Sequence, residues 1–194
     1  MSFDSRAKDW DKLKRRRELT FNAANKIKEL PLKKNLNILD IGVGTALLAS
    51  EFKDIASLIV GVDTSIEMLK EFKKKMPNQI AINKNILEYE PDIQFDLIIS
   101  SMTLHHIKDI PLLFKKVYKW LKKDGFFAFA DLAKEDGTFH TNGNEGVFHF
   151  GFFEDEIIKI AKSANFKNLR CDKIYTIVED KPRPYDILLW SGQK

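Results

Sequence analysis

The sequence holds one cysteine, Cys171, so no internal disulfide can form. Stability must then come from a packed core, and a reducing compartment suits such a chain. Long hydrophobic runs are also missing: no apolar stretch reaches the roughly 20 residues a membrane-spanning helix needs. The opening MSFDSRAKDWDKLKRRREL lacks an apolar h-region and carries acids, unlike a signal or transit peptide, so a cytoplasmic location is expected. Repeats, low-complexity tracts and interdomain linkers are absent too. The 194 residues therefore read as one domain spanning 1–194, with 44% hydrophobic and 31% charged residues as in a globular protein.

Excess charge of one sign is scarce outside the start. Residues 1–34 carry eleven Lys/Arg against five Asp/Glu, whereas the rest of the chain balances to −2 within a total of +4. A basic N-terminal arm could touch nucleic acid or an anionic surface. KLKRRRE has no interleaved aromatic residue, however, and a solvated helix face is the plainer reading.

Hydrophobic spacing orders the remainder. Thr20, Ala23, Ala24, Ile27 and Leu30 form one stripe, which predicts a helix over 4–30 ended by Pro31. LNILDIG, SLIVGVD, QIAIN, FDLIISS and GFFAFADL are short apolar runs that predict strands. TALLASEF and SIEMLKEFKKKM predict helices after the first and second of them. Asp109 and Pro111 open another helix that KKDG ends, and Glu154 and Asp155 open one carrying Ile157, Ile160, Ala161 and Ala164 on one face. Strands around CDKIYTIV and YDILLWSG close the chain. Nearly all-apolar strands alternating with helices imply an α/β doubly wound, mostly parallel sheet covered on both faces, with ligands at the carboxyl ends of its strands.

Those strand ends carry the polar residues of interest. Asp40-Ile41-Gly42-Val43-Gly44-Thr45 follows the first strand, and its glycines permit close backbone approach. A dinucleotide fold would want a third glycine at position 47, where this chain has Leu47. Asp40 would repel a pyrophosphate but welcome an ammonium group. Asp63 ends the second strand and could accept from two ribose hydroxyls or else cap the next helix. Met68 could pack on a purine face or simply fill core. Asn85 could meet an adenine edge or serve a turn. SSMTLHHI follows the fourth strand, and its adjacent histidines are not expected to share one helix face.

NILDIGVGTALLA, GVDTSIEML, NKNILEYEPDIQFDLIISSMTLHHI and GFFAFADLAKEDGTFH, in this order, resemble class I S-adenosylmethionine-dependent methyltransferases over essentially the whole chain. FDSRAKDWD and YDILLWSGQK resemble the first and last segments of small-molecule members. The resemblance implies a seven-stranded sheet in the order 3-2-1-4-5-7-6 with the last strand antiparallel. It implies S-adenosylmethionine as cofactor and S-adenosylhomocysteine as product. Asp40, Gly42, Gly44 and Thr45 would hold the methionine end, and Asp63 the ribose. Thr64 and Met68 would border the adenine, Asn85 and Ile86 would contact it, and Ser100 and Ser101 would line the methionine side. Asn85 departs from the Asp common at that position. Residues 1–34 would cover the cofactor site, with Trp10 closing over it or lying in the core.

Methyl transfer from a sulfonium is an in-line displacement that needs positioning, and a base only when the nucleophile arrives protonated. Asp131, His140 and His105 are the catalytic candidates. Trp10, Phe139, Phe148 and His149 are expected on the substrate side. Glu135, Asp136, His140 and His149 do not have a zinc-type spacing, and no metal is expected. The expected activity is methylation of a small molecule by a monomer or homodimer. A tRNA or protein methyltransferase using the basic arm is the first alternative, although no Asn/Asp-Pro-Pro-aromatic tetrad follows the fourth strand. A non-catalytic S-adenosylmethionine-binding protein is the second. A nicotinamide oxidoreductase is disfavoured by Leu47 and Asp40.

Overall fold

Alternate residues of each central strand enter opposite hydrophobic layers, which is why these runs are apolar throughout. Ile38, Ile59, Leu97, Ile99, Ala128 and Leu189 face one layer, while Leu39, Val60, Ile98, Phe127 and Leu188 face the other. The computed structural model describes residues 3–141 and 143–194. Its strands are β1 (Leu36–Ile41), β2 (Ala56–Asp63), β3 (Ile80–Asn83), β4 (Phe95–Ser101), β5 (Leu121–Leu132), β6 (Lys167–Ile177) and β7 (Tyr185–Gln193). They form one sheet in the order β3-β2-β1-β4-β5-β7-β6, as the family resemblance implies. The pairs from β3 to β5 are parallel, and β7 runs antiparallel to both β5 and β6.

Helices α1 (Lys14–Lys28) and α2 (Ile66–Lys75) bury Ala23, Ala24, Ile27, Leu69 and Phe72 in the first layer. Helices α3 (Ile110–Trp120) and α4 (Glu154–Ser163) bury Leu113, Phe114, Val117, Ile157 and Ala161 in the second. Each large apolar side chain so buried contributes about 1.5–3 kcal/mol. Local signals set the helix starts: Ser65 caps α2 by accepting from the Met68 amide, and Asp109 caps α3 by accepting from the Leu112 amide. None of the helices among the described residues is long and apolar enough to cross a membrane.

Three element boundaries differ from the sequence expectation. The single helix over 4–30 is two pieces, a 3-10 segment Asp4–Lys12 and α1, because Leu13 between them is extended at ψ 117°. TALLASEF makes only a turn and a 3-10 segment, Ala49–Phe52, because Ala46 takes φ 67° and interrupts any α-helical ladder there. KKDG falls within β5, which begins at Leu121 immediately after α3 and carries Asp124 at φ 63°. An irregular register opposite Phe95 and Leu97 accommodates it.

Candidate functional site

The carboxyl ends of β1, β2 and β4 converge on the glycine turn. Gly42 and Gly44 both have positive φ, 68° and 53°. At Gly42 a Cβ would lie 2.2 Å from the Thr103 hydroxyl oxygen, so glycine is required by the turn after β4. Thr103 was not singled out from the sequence, and only this contact reveals its part. At Gly44 a Cβ would meet only the Met68 sulfur, at 4.0 Å. Met68 is buried directly behind the turn, and Ile86 is buried as well.

Asp63 ties this turn to the end of β2. One carboxylate oxygen accepts from the Gly44 amide at 2.9 Å and the other from the Ser65 amide at 2.8 Å. A carboxylate oxygen has a second lone pair, so the acid can still accept from a ligand. Ser65, not Asp63, is the helix cap. Asp40 is 1% exposed, and one of its carboxylate oxygens has no hydrogen-bond partner. Burial and then the charge of Asp63 push its pKa well above the usual carboxylate range, with the Ala49 amide opposing. Burial raises Asp63 also, against the amides of Ser65, Gly44 and Thr64. Two desolvated acids at neighbouring strand tips would gain from a cationic ligand.

Other residues of the cofactor set already have partners in the protein. Ser100 donates its hydroxyl to the Ile41 carbonyl at 2.8 Å, bridging β4 to β1, and the Ser101 carbonyl accepts from Thr103. The Asn85 side-chain oxygen accepts from the Leu87 amide at 2.9 Å, a turn role. Exposed Thr64 offers its carbonyl to Asn83. Thr45 is buried and donates to Asp11 at 2.5 Å, and Ser65 donates to Asp4 at 2.5 Å. Lys75 pairs with Asp11 from the other side. Two acids of a segment notable for its basic residues thus fasten it to the turns after β1 and β2. Those acids carried no recognisable signal of their own.

Trp10 is half-buried under the Arg16 guanidinium, 3.5 Å from its ring centre, with Phe3 at 5.8 Å. Phe3 in turn meets the His106 ring edge-on at 5.3 Å. Trp10 therefore belongs to a surface stack beside the histidines, and not to the core.

The turn Leu104–His106 after β4 gathers the histidines. His105 and His106 do not lie on an α-helix, so the expectation about a helix face does not apply to them, and their rings meet. The tight turn leaves the ring centroids 4.1 Å apart. The His140 ring lies 5.1 Å from His105 and 5.4 Å from His106. His105 is buried and donates from Nδ1 to Asp131 at 2.6 Å. His106 donates from Nδ1 to the Gly146 carbonyl at 2.7 Å. The Nε2 of His140 is buried without a partner. Burial, followed by the charge of His105, lowers the pKa of both His106 and His140 to about 4. Asp131 is fully buried. Burial acts to raise it, but the charge and hydrogen bonds of His105 with the Leu132 amide outweigh this and lower its pKa.

Asp131 was expected to face the substrate, but its place is behind His105, as the group that orients the imidazole. Phe139 stacks beside His140 at 5.0 Å and carries Lys181 3.7 Å above its ring. Phe148 and His149 do not join this group. Phe148 is 54% exposed, and His149 donates from Nε2 to the Ile107 carbonyl at 2.9 Å. Their amides both donate to the His105 carbonyl, at 2.9 and 3.2 Å. Glu135 accepts from the Gly137, Thr138 and Phe139 amides, and Asp136 from Thr138 and Arg183. These acids shape the loop and stand outside the histidine group.

Residues 39–129 match the protein family described as a methyltransferase domain. The chain is 31% identical over 156 residues to an uncharacterized methyltransferase of Schizosaccharomyces pombe, covering 70% of this chain and 55% of that protein. It is 34% identical to a ubiquinone biosynthesis O-methyltransferase of Pelagibacter ubique, covering 52% of this chain and 44% of that one. The chain thus spans about half the length of these relatives. Among solved structures, the complex between the Haloferax volcanii Trm112 methyltransferase activator and its methyltransferase contains a similar fold. There the TM-score is 0.80 at 16% identity, covering 99% of this chain and 97% of that one. Phosphoethanolamine N-methyltransferase 2 of Haemonchus contortus, in complex with S-adenosyl-L-methionine, superposes with TM-score 0.70 at 19% identity, covering 90% of this chain and 52% of that one.

Proposed function

We propose that the chain, whose residues 39–129 match a methyltransferase domain, is a class I S-adenosylmethionine-dependent enzyme that moves a methyl group from S-adenosylmethionine to a small-molecule acceptor. The observation that carries this reading is the pair of acids at the tips of β1 and β2, Asp40 buried and Asp63 partly so. Asp40 keeps an unpartnered carboxylate oxygen at the tip of β1, and Asp63 is desolvated at the tip of β2. A nucleotide pyrophosphate would be repelled there, whereas a cofactor with an ammonium and a sulfonium would relieve both acids. Bound there, S-adenosylmethionine supplies an electrophilic methyl group on sulfur. The turn at Gly42 and Gly44 with Thr45 would hold its amino-acid end, Asp63 its ribose, and Met68 and Ile86 its ring.

The acceptor would enter on the histidine side, between β4 and the connection that follows β5. There the protein's own task is to align the nucleophile for in-line attack. Where the acceptor arrives protonated, His105 is placed to take that proton. Its Nδ1 proton is committed to Asp131, which leaves the Nε2 lone pair free. Asp131 is then a positioning residue and His105 the catalytic one.

A tRNA or protein substrate held by the basic arm is less well supported. Arg15 pairs with Asp180, Arg16 lies on Trp10 and donates to its carbonyl, and Arg17 donates to the Asp11 and Lys12 carbonyls. All three arginines serve internal contacts.

Calorimetry with S-adenosylhomocysteine tests the cofactor reading, and a folded sample that fails to bind it would refute it. Asp63→Ala should weaken binding more than tenfold, about 1.4 kcal/mol. Release of labelled methyl groups with candidate acceptors separates an enzyme from a protein that only binds the nucleoside.

A further inference from the structure

The three imidazoles are arranged as a ligand set, and they come from two parts of the chain that sequence spacing could not join. One nitrogen from each of His105, His106 and His140 lies within 4.8 Å of the other two. Two of the rings are already fixed from behind. A buried carboxylate accepts from Nδ1 of His105, and a backbone carbonyl accepts from Nδ1 of His106. Each bond fixes the tautomer and leaves Nε2 as the lone pair, the backing that metal-bound histidines characteristically have. The third ring leaves a buried Nε2 unpartnered, which costs free energy unless something binds it.

We propose that His105, His106 and His140 form a binding site for a divalent transition ion of the zinc class, with its fourth position open to the methyl acceptor. Three imidazole nitrogens suit such an ion, whereas Mg²⁺ and Ca²⁺ prefer oxygen ligands. Tetrahedral zinc with nitrogen at 2.0–2.1 Å needs ligand atoms about 3.4 Å apart, so the trio closes by roughly an ångström on binding. His140 can make that move. It sits on the connection after β5, where Gly137, Gly143 and Gly146 have positive φ and where a Cβ at Gly143 or Gly146 would touch nothing.

Charge then selects the fourth ligand. Asp131 is the one buried carboxylate of the cluster and Glu135 also acts on His140, while Lys181 acts on His140 and Arg6 on His106, so that the two acids are matched by two cations. An added divalent ion leaves a net positive site, which favours an anionic donor such as a thiolate or alkoxide from the acceptor. Coordination would lower the donor's pKa so that its proton passes to solvent water, in place of the proton-accepting role of His105, since ion binding and proton uptake use the same lone pair. Only this last placement rests on the methyl-transfer reading, and ion binding stands apart from it.

Untagged, chelator-treated protein titrated with Zn²⁺ is the test, repeated with Co²⁺ for the visible absorption of a four-coordinate site. One ion per chain is expected. His140→Ala and His106→Ala, both at partly exposed positions, should each weaken binding at least tenfold, and Asp131→Asn should do so by 10- to 100-fold through His105. S-adenosylhomocysteine binding by the same samples reports folding and the cofactor site separately. Absence of saturable one-to-one binding by a sample that still binds the nucleoside would overturn the proposal. So would unchanged Zn²⁺ affinity in both histidine variants.

Discussion

The Ser65 hydroxyl donates to Asp4 at 2.5 Å across 61 residues of sequence, at the point where β2 hands over to α2. Together with the bond from Thr45 to Asp11, it fastens the 3-10 segment Asp4–Lys12 over the two turns that define the candidate cofactor site.

Removing both acids should therefore loosen the segment without harming the sheet. At about 1 kcal/mol for each bond, the double variant Asp4→Ala, Asp11→Ala should raise the open population about 30-fold. Hydrogen exchange of amides in 4–12 reads this directly, and S-adenosylhomocysteine should dissociate faster. Unchanged protection of 4–12 would mean that other contacts hold the segment.

Asp40 makes a pH-dependent prediction with a definite sign. Its folded pKa is raised, so its contribution to stability is full below the unfolded carboxylate pKa and is lost as pH rises through the folded value. Asp40→Asn should raise the melting temperature of the ligand-free protein at neutral pH and leave it nearly unchanged in acid. The same change should weaken S-adenosylhomocysteine binding. Thermal melts across pH, with and without the ligand, check both halves.

His106 and His140 act in the opposite sense. Their folded pKa values of about 4 lie below the unfolded value near 6.5, so the stability they contribute is present above 6.5 and is lost as pH falls toward 4. Partial exposure limits the effect to about 1 kcal/mol each. His106→Gln should flatten the acid limb of a melting-temperature profile between pH 4 and 7. An unaltered limb would place the acid sensitivity elsewhere.

Gly42 and Gly143 offer a paired comparison. Gly42→Ala meets both a positive φ and the Thr103 side chain, whose Cβ itself lies 2.7 Å from the added carbon, and should cost about 3 kcal/mol. Gly143→Ala has open space around it at φ 100° and should cost only about 1 kcal/mol for the backbone. Denaturant midpoints of the two variants separate steric from conformational cost.

The sheet was readable in the sequence because its central strands are buried on both faces, so LNILD and FDLIIS stand out as apolar runs. The glycine turn and the acid after SLIVGV were readable because strand ends carry the few polar residues such a pattern permits. Helix continuity was less readable. Ala46 is a good helix former by intrinsic propensity, yet here it takes a left-handed conformation at φ 67°. The histidine group was hidden for a different reason. Residues 105 and 140 are brought together by the connection after β5, and no local spacing records that. The N-terminal charge drew attention to Arg15, Arg16 and Arg17, while the contacts that reach the strand tips belong to Asp4 and Asp11.

The paired amides of Phe148 and His149 on the His105 carbonyl have a consequence for the histidine group. They anchor the far end of the connection that bears His140 to the very residue that Asp131 orients. Any displacement of that connection would therefore be passed to the backbone of His105. The backbone that carries His140 and the imidazole that Asp131 holds are thus mechanically joined, so a substitution at Phe148 or His149 that alters this anchor bears on both.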